Sequence, residues 1–438
     1  MILPPLLLAA LAGAAAPGDD PRPRLLVLTD IGGDPDDQQS MVRLMAHSSE
    51  IEIEGFVASA SGTPGELKKE ITQPHLIREI VEAYAQVLPA LRSHSPAFPD
   101  ASALLARVRS GNPRRGWERV GDGHDTDGSR FIIETADRKD PRVLHIAIWG
   151  GQTDLAQALW RVRADRGEAG YGEFIRRFRV YDIDDQDRIA ERIWKEFPGL
   201  NYILAKSARG RDKREGMYRG MYLSGDLELT SLAWLDAHVR RGHGPLGALY
   251  PPKTWTAPNP HGALKEGDSP SWLFVLPVGL GDPARPDWVS WGGRFTKTAE
   301  GIWRDAPEGR EAVARWRPAF QNEFRARMDW CVKTPAGANH PPAVVLNGDA
   351  SLRVLDLEAK AGAEVRFAAE GSKDPDGHAL SFLWTAEGGA AVRGDGAQAA
   401  LPVPADAAGK EIHVILEATD AGDPPLTRYR RALVRVKP

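Results

Sequence analysis

The sequence has a single cysteine, no excess of basic charge, and no long apolar run beyond its first residues. The lone Cys331 excludes an internal disulfide framework and a metal cluster built on several thiolates. A formal net charge of −4 at pH 7 and the lack of a basic stripe interleaved with aromatic residues argue against nucleic acid as a partner. After the N-terminus, no stretch is long and apolar enough to span a bilayer. We therefore expect neither nucleic-acid binding nor a membrane span.

The N-terminus is apolar and rich in small residues, with the sequence MILPPLLLAALAGAAAPGDD. Ala12 and Ala14 fit the small-x-small pattern of a signal-peptidase site, which predicts a signal peptide over residues 1–16. The usual positive segment is missing, because no Lys or Arg precedes Arg22. A buried first helix is the alternative. We expect the mature protein to be secreted or periplasmic.

The composition is that of a globular protein of two or three domains, because 42% of the 438 residues are hydrophobic and 26% are charged. From Arg24 to about Thr334, short apolar runs alternate with helical patterns, as in RLLVLTD, QQSMVRLMAHS, IEIEGFVASAS and QPHLIREIVEAYAQVL. Strand followed by helix, repeated, predicts an α/β domain over residues 22–335. We expect an open, mostly parallel sheet with flanking helices.

After a linker rich in Pro, Gly and Asn near residues 335–342, short alternating segments such as EVRFAAEG and EIHVILEATD are separated by turn signals. This pattern predicts a small all-β sandwich over residues 343–438, similar in type to immunoglobulin-like or cadherin-like modules. Its aspartates Asp374, Asp376 and Asp420 are expected to form turns, with calcium binding as the alternative.

An acidic loop, LTDIGGDPDD, follows the first apolar run and holds Asp30, Asp34, Asp36 and Asp37. Open α/β sheets bind ligands at the carboxyl ends of their strands, where this loop is predicted to lie. Carboxylates held close together raise one another's pKa, and a hard cation such as calcium or magnesium offsets the repulsion. Helix capping would explain Asp36 or Asp37, but it leaves Asp30 unexplained.

Two other acidic or glycine-rich motifs do not fit this loop. An EF-hand counted from Asp30 would need Glu at its twelfth position, which is Met41. A dinucleotide-binding fingerprint needs spaced glycines, whereas Gly32 and Gly33 are adjacent and their loop is acidic.

The loop resembles the calcium-binding signature of nucleoside hydrolases, in which a strand ends in Asp-Thr-Asp and is followed by Pro-Gly-x-Asp-Asp. Here Leu28 stands at the first Asp position, and two extra residues precede the closing pair. The resemblance implies that Asp30 is a calcium ligand and the catalytic base that activates water. It also implies that Asp37 is a second calcium ligand and that Asp36 faces the sugar. Asp34 falls in the insertion and has no counterpart.

Two later segments also resemble nucleoside hydrolases. Gln152, Thr153 and Asp154 in HIAIWGGQTDLAQAL match a Gly-Pro-x-Thr-Asn segment, which implies that the Thr153 carbonyl oxygen binds the calcium ion. Asp268 in LKEGDSPSWLFVLP matches the late aspartate that completes the site. With VYDIDDQD, GLGDPARPDWVSWGGRF and MDWCVKTPAGANHPP, nearly the whole mature chain resembles a secreted nucleoside-hydrolase-like family described as cellulose-binding. The implied cofactor is Ca²⁺.

The sequence departs from the ribohydrolases at the residue that protonates the leaving base. Those enzymes have His directly before the last metal-binding Asp, and this chain has Gly267 there. His261 and Glu266 lie nearby, and we expect Glu266 to contact the substrate. This departure implies a substrate other than an ordinary nucleoside.

The residues expected to contact sugar also differ. An Asn-rich segment that binds ribose in the resembled family is replaced by acidic residues, from which we expect Asp185 and Gln186 to bind hydroxyl groups. Trp288 and Trp291 in WVSWGGRF are predicted to stack on the sugar, and Arg294 to hold a hydroxyl or carboxylate. Packing in the protein interior is the alternative for both tryptophans.

Two main functions therefore compete. The first is a calcium-dependent hydrolase of N- or O-glycosidic bonds that acts on a small glycoside, an oligosaccharide or a nucleoside-like substrate. The second is a carbohydrate-binding (cellulose-binding) protein without turnover on a nucleoside hydrolase scaffold. A scaffold that joins partners through the β-sandwich is a third. The sequence does not indicate the oligomeric state.

Overall fold

The computed structural model describes residues 21–255, 260–387 and 390–438, so the predicted signal peptide lies outside the described residues. The strands are β1 (Arg24–Thr29), β2 (Glu52–Ala58), β3 (Val108–Ser110), β4 (Leu144–Trp149), β5 (Phe178–Ile183), β6 (Tyr202–Ala205), β7 (Phe295–Lys297), β8 (Trp303–Asp305), β9 (Leu355–Lys360), β10 (Glu364–Ala368), β11 (Leu380–Ala386), β12 (Gln398–Pro402), β13 (Glu411–Asp420) and β14 (Thr427–Lys437).

The α-helices are α1 (Asp36–Ala46), α2 (Pro74–His94), α3 (Ala101–Leu105), α4 (Asp127–Asp137), α5 (Gln152–Ile175), α6 (Ala190–Glu196), α7 (Leu232–Leu235), α8 (Gly244–Ala248), α9 (Pro270–Leu273), α10 (Glu311–Ala314) and α11 (Arg317–Trp330). Short 3₁₀ turns cover Trp117–Arg119, Lys213–Glu215, Met217–Met221, Glu228–Thr230 and Pro335–Gly337, and a π turn covers Asp236–Arg240. In the described part of the chain, no helix is long and apolar enough to cross a membrane.

The first eight strands form one sheet in the order β3-β2-β1-β4-β5-β6-β8-β7. All neighbouring pairs are parallel except β7 and β8, which are antiparallel. Helical crossovers connect parallel strands and cover both faces of the sheet. The predicted open, mostly parallel α/β fold is therefore confirmed.

Strand β1 lies in the middle of this sheet and is buried along its whole length. Leu25 and Val27 belong to one apolar core, whereas Leu26 and Leu28 belong to a second core on the opposite side. Side chains alternate across a strand, so a continuous apolar run buries both faces at once. This run brings the acidic loop to the carboxyl edge at the centre of the sheet.

The C-terminal strands form a four-stranded sheet, β11-β13-β14-β9, and a two-stranded sheet, β10-β12. Their inner faces enclose a separate core that includes Phe367, Trp384 and Leu416. The predicted small β-domain after the α/β domain is therefore confirmed.

The aspartates of this domain hold turns. One oxygen of Asp374 accepts hydrogen bonds from the backbone amides of Asp376 and His378, at 2.9 and 3.0 Å. One oxygen of Asp420 accepts from the amides of Gly422 and Leu426, at 2.9 and 3.1 Å. These contacts agree with the expected turn-forming role.

Strand β14 also contributes to the core of the α/β domain. Tyr429 and Ile415 belong to the same apolar cluster as Val27, and the Tyr429 amide donates to the Val278 carbonyl at 2.9 Å. Buried apolar area that two domains share disfavours their independent motion.

A buried ion network joins the same two domains. Glu323 of α11 contacts Arg327 at 2.7 Å and Arg428 of β14 at 2.8 Å. Glu50 contacts the same two arginines at 2.8 and 3.1 Å. Burial opposes the charged form of Glu323, but the guanidinium groups of Arg428 and Arg327 outweigh it and hold its pKa below the usual range. The network is stable only while every charge in it has its partner.

We expect Arg428→Met to lower the free energy of unfolding by about 3–5 kcal/mol, because Glu323 would be left buried with one partner fewer. Urea unfolding at pH 7 measures the change. Arg366→Met is the matched control, since Arg366 is exposed and its one ion pair among the described residues is with Glu364, at 3.0 Å. Equal losses in the two variants would contradict the assigned role of the network.

His47 at the end of α1 is fully enclosed between Trp272 and Phe324, with ring centroids 5.2 and 6.4 Å away. Its Nδ1 lies 2.8 Å from the Arg43 carbonyl oxygen. Burial and the nearby Arg327 charge lower the pKa of His47 to about 4. The folded protein therefore holds this ring neutral at pH values where the unfolded chain protonates it.

A depressed folded pKa gives stability that is present above the unfolded value, near 6.5, and is lost progressively as the pH falls from there to about 4. Between pH 7.5 and 5, His47 should account for a loss of about 2 kcal/mol. Urea unfolding at the two pH values, in the parent and in His47→Gln, isolates this contribution. An equally steep loss in His47→Gln would show that other groups cause it.

Candidate functional site

Four aspartates meet at the carboxyl edge of the parallel sheet, and we call them the acidic site. Asp30 follows β1, Asp36 and Asp37 begin α1, and Asp268 lies two residues before α9. Carboxylate oxygens of Asp36, Asp37 and Asp268 all lie within 4.8 Å of one another. Asp30 is close enough to affect the titration of Asp268. Segments more than two hundred residues apart thus supply one cluster of oxygen atoms.

Two oxygen atoms of this cluster are buried without a hydrogen-bond partner among the described residues, namely Asp30 Oδ2 and Asp268 Oδ2. Asp37 is better satisfied, since its Oδ1 accepts a hydrogen bond from the Thr29 hydroxyl. Gly150 packs directly against Asp30, and no side chain fits there, because a Cβ would lie 2.6 Å from the Asp30 Cβ. Its φ of +126° also favours glycine. Unpartnered buried carboxylate oxygens are costly unless a cation or ligand approaches them.

Burial is the main cause of raised pKa values in the acidic site, and mutual repulsion is the next. Burial followed by the Asp37 charge raises the pKa of Asp30 well above its usual value. Burial and then the charges of Asp37 and Asp36 do the same to Asp268. A cation bound in the cluster would favour the charged carboxylates and so lower the pKa values of both residues.

Two cationic side chains approach the acidic site, and the sequence did not indicate either. Lys265 Nζ lies 2.7 Å from Asp34 Oδ2 and 3.1 Å from Asp36 Oδ2, and the two carboxylates raise its pKa despite burial. Arg115 lies 3.8 Å from Asp30. Lys265 stands three residues before Asp268, and Arg115 stands in the loop after β3, at the same edge of the sheet. Those two positions are the signals that could have identified them.

Asp34 is not the unused insertion residue that the resemblance implied. It is 4% exposed, and its Oδ1 accepts a hydrogen bond from the Trp255 amide at 2.8 Å while its Oδ2 holds Lys265. The insertion therefore attaches a distant segment to the rim of the acidic site.

Thr153 lies in the first turn of α5, where its side chain and amide are already used. Both the Thr153 hydroxyl and its amide donate to Asp187 Oδ2, at 2.6 and 2.8 Å. The other oxygen of Asp187 lies 3.7 Å from Arg115 and is otherwise unpartnered in the described chain. The carbonyl oxygen of Thr153 as a calcium ligand stays a prediction.

The loop after β5 is held in a conformation that L-residues adopt rarely, because Asp184, Asp185 and Arg188 have φ values of 67°, 54° and 60°. Such strain often accompanies a functional site. Asp185 accepts from Gln152 at 3.1 Å and lies 3.2 Å from Lys206. Gln186 is half-buried. The expected sugar contacts of Asp185 and Gln186 stay predictions.

Position 267 differs in shape as well as in chemistry from the resembled hydrolases. A Cβ on Gly267 would lie 3.2 Å from the Tyr218 ring and 3.4 Å from Asp36 Oδ2. Tyr218 is buried, and burial followed by the charge of Asp184 raises its pKa well above the usual value, so the hydroxyl keeps its proton. A side chain at position 267 would therefore require the Tyr218 ring to shift by a few tenths of an ångström.

Glu266 was expected to bind substrate, and the structure contradicts this. The residue is fully buried, and it forms a salt bridge with Arg43 at 2.5 Å. It also accepts hydrogen bonds from Tyr250 at 2.6 Å and Ser269 at 2.9 Å. Because these partners occupy both oxygens, Glu266 stabilises the fold beside the site.

The expectation that WVSWGGRF forms a cleft wall is also wrong. Trp291 is 1% exposed and packs edge-on against Tyr429 of β14, and Trp288 is 6% exposed against His413 of β13. Arg294 donates to the Asp287 carbonyl at 2.8 Å. These tryptophans face the β-sandwich, so the packing alternative holds.

The donor set suits a hard divalent cation, since calcium binds oxygen ligands and prefers several carboxylates. Asp36, Asp37 and Asp268 offer oxygens within 4.8 Å of one another, and Asp268 Oδ2 and the neighbouring Asp30 Oδ2 lack a hydrogen-bond partner in the described chain. The residues present therefore fit the calcium ion that the resemblance implies.

Comparisons with known proteins decide the family. Residues 24–295 match the family described as "Cellulose-binding Sde182, nucleoside hydrolase-like domain", which covers more than half of the chain. The chain belongs to this family. Residues 364–436 match the C-terminal domain of the cellulose-binding protein Sde0182. The family resemblance seen in the sequence is thereby confirmed.

A solved structure supports this assignment over the whole Sde182-like chain. It is a nucleoside hydrolase-related hypothetical protein of Saccharophagus degradans that is associated with carbohydrate metabolism. The two chains are 33% identical, the match covers 95% of this chain and 100% of the other, and the TM-score is 0.81. Cadherin domains of a protocadherin (20% identity over 19% of this chain) match only at a TM-score of 0.13. No curated protein matches significantly.

We expect Gly267→His to lower the free energy of unfolding by about 1–3 kcal/mol, because its Cβ would lie only 3.2 Å from the Tyr218 ring and the ring would have to shift. Gly172→His is the matched control, because a Cβ there meets only the Arg176 guanidinium, at 3.8 Å, and should change stability by less than about 0.5 kcal/mol. Urea unfolding of both variants measures the difference. Equal stability of the two would mean that the Tyr218 ring yields freely.

Proposed function

We propose that the acidic site is a calcium-dependent carbohydrate-binding site, carried by a secreted member of the Sde182-like family. The observation that supports this most directly is the pair of buried, unpartnered oxygens on Asp30 and Asp268. Burial is the main cause that raises the pKa of both residues, and repulsion from the neighbouring aspartates raises it further. The cellulose-binding description of the family supports carbohydrate as the ligand.

Asp30, Asp37 and Asp268 would hold the calcium ion, together with the carbonyl oxygen of Thr153. The bound ion would supply positive charge that neutralises the cluster and attracts the hydroxyl oxygens of a sugar. Asp36 and Arg115 lie at the edge of the cluster, where a carboxylate accepts and a guanidinium donates hydrogen bonds to hydroxyl groups. This arrangement can bind a sugar whether or not a bond is then cleaved.

Hydrolysis of a glycosidic bond is the second candidate, and one observation favours it. Asp30 has a buried carboxylate oxygen without a hydrogen-bond partner in the described chain, and it stands where nucleoside hydrolases have their general base. The acid of the ribohydrolases, however, is missing at its usual position, because Gly267 stands there and a side chain at 267 would lie 3.2 Å from the Tyr218 ring. A base alone contributes less than a base and an acid together, so binding is the better supported function.

Calcium should stabilise the folded protein, because it binds the native cluster and not the unfolded chain. At a free concentration one hundred times its Kd, it should add about 2.7 kcal/mol to the free energy of unfolding. Asp37→Asn and Asp268→Asn should each remove most of this gain. Asp127→Asn is the control, because Asp127 is exposed and pairs only with Arg130.

Titration calorimetry with calcium chloride, and unfolding in calcium or in EDTA, measure these effects. Cello-oligosaccharide should then bind in calcium and not in EDTA. Release of reducing sugar from cello-oligosaccharide, or of base from inosine, that Asp30→Asn abolishes would favour the hydrolase. Identical stability in calcium and EDTA would exclude the metal.

A further inference from the structure

One large aromatic side chain near the acidic site is exposed instead of packed. Trp255 is 61% exposed, whereas most apolar residues around the site are buried. Single exposed apolar residues are common on protein surfaces and by themselves indicate no function. The contacts that hold the Trp255 backbone distinguish it from such residues.

Described residues on both sides of Trp255 make polar contacts with helix α1. Gln39 is fully buried, and its Nε2 donates to the carbonyl oxygens of Pro251 at 3.0 Å and Ala263 at 2.8 Å. Its Oε1 accepts from the Lys265 amide at 2.9 Å. The chain on both sides of Trp255 is therefore attached to the helix that begins with Asp36 and Asp37.

Trp255 itself is tied to the acidic site through Asp34. The Trp255 amide donates to Asp34 Oδ1 at 2.8 Å, and Asp34 Oδ2 contacts Lys265 at 2.7 Å. Lys265 in turn contacts Asp36 at 3.1 Å. The Trp255 backbone is thus connected to Asp36 of the acidic site through Asp34 and Lys265, while the indole ring keeps most of its surface in solvent.

We infer that Trp255 is an aromatic subsite for a pyranose ring at the rim of the acidic site. The inference rests on the proposed function and names its ligand class, a glycan of β-linked pyranoses with equatorial hydroxyl groups. Such rings carry their C–H bonds on two flat faces, which stack on an indole, and their hydroxyls at the edges, where Lys265 and Asp36 can bind them. An exposed indole costs free energy in water, and stacking recovers it. The insertion that contains Asp34 thereby has a role, which is to present this ring.

The test is the binding of cellotetraose in calcium, by titration calorimetry, to the full chain and three variants. Trp255→Ala should weaken binding about tenfold, and Trp255→Phe should weaken it about threefold, because a smaller ring still stacks. Leu383→Ala is the matched control, since Leu383 is 57% exposed on β11 of the sandwich and should bind like the parent. Maltotetraose, whose axial linkage bends the chain, should bind more weakly to the parent than cellotetraose does.

A second measurement follows the ring directly. N-bromosuccinimide oxidises exposed indoles, and peptide mass spectrometry should show that cellotetraose slows the oxidation of Trp255. The inference is overturned, and the proposed function stands, if the parent and Trp255→Ala bind cellotetraose equally well and the sugar does not slow the oxidation of Trp255 in the parent. If the parent binds none of these sugars, the proposed function itself fails.

Discussion

Repulsion between buried carboxylates is the constraint around which the α/β domain is organised. The apolar β1 strand brings Asp30 to the centre of the sheet edge, and the start of α1 adds Asp36 and Asp37 beside it. The helix N-terminus favours negative charge, but it compensates only part of the repulsion. Lys265 and Arg115 approach from other segments and balance two of the charges. The remaining imbalance is what the proposed calcium ion would offset.

The contrast with Glu266 and Glu323 supports this proposal. Both glutamates are buried, and both have guanidinium partners at 2.5–2.8 Å, so their charges are balanced within the fold. Asp268 Oδ2 has no hydrogen-bond partner among the described residues, and Asp30 Oδ2 has only the Arg115 guanidinium, 3.8 Å away. A buried carboxylate whose charge the fold balances has a structural role, whereas a cluster of carboxylates with unbalanced charge favours a cation.

The sequence predicted those features that depend on local pattern. Apolar runs that alternate with helical periods predicted the parallel sheet, and the strand-edge rule placed the loop with Asp30 and Asp37 at its carboxyl edge. The resemblance to nucleoside hydrolases added Asp268 to them. The sequence did not reveal the partners of Asp34, which lie 221 and 231 residues away along the chain. It also misjudged Trp288 and Trp291, since an aromatic residue near a loop has the same local pattern whether it faces a sugar or a second domain. Contacts between distant segments decide both cases, and local patterns do not contain them.

Strand β14 has a mechanical consequence under the proposed carbohydrate-binding function. One of its residues, Tyr429, lies in the α/β core, while Val434 lies in the sandwich core, and Arg428 joins the ion network between them. A force applied to a bound sugar polymer would therefore be transmitted between the two domains by paired backbone and packed side chains, and not by a flexible linker that extends first. Under such a force, the contacts with the sugar would break before the two domains separate.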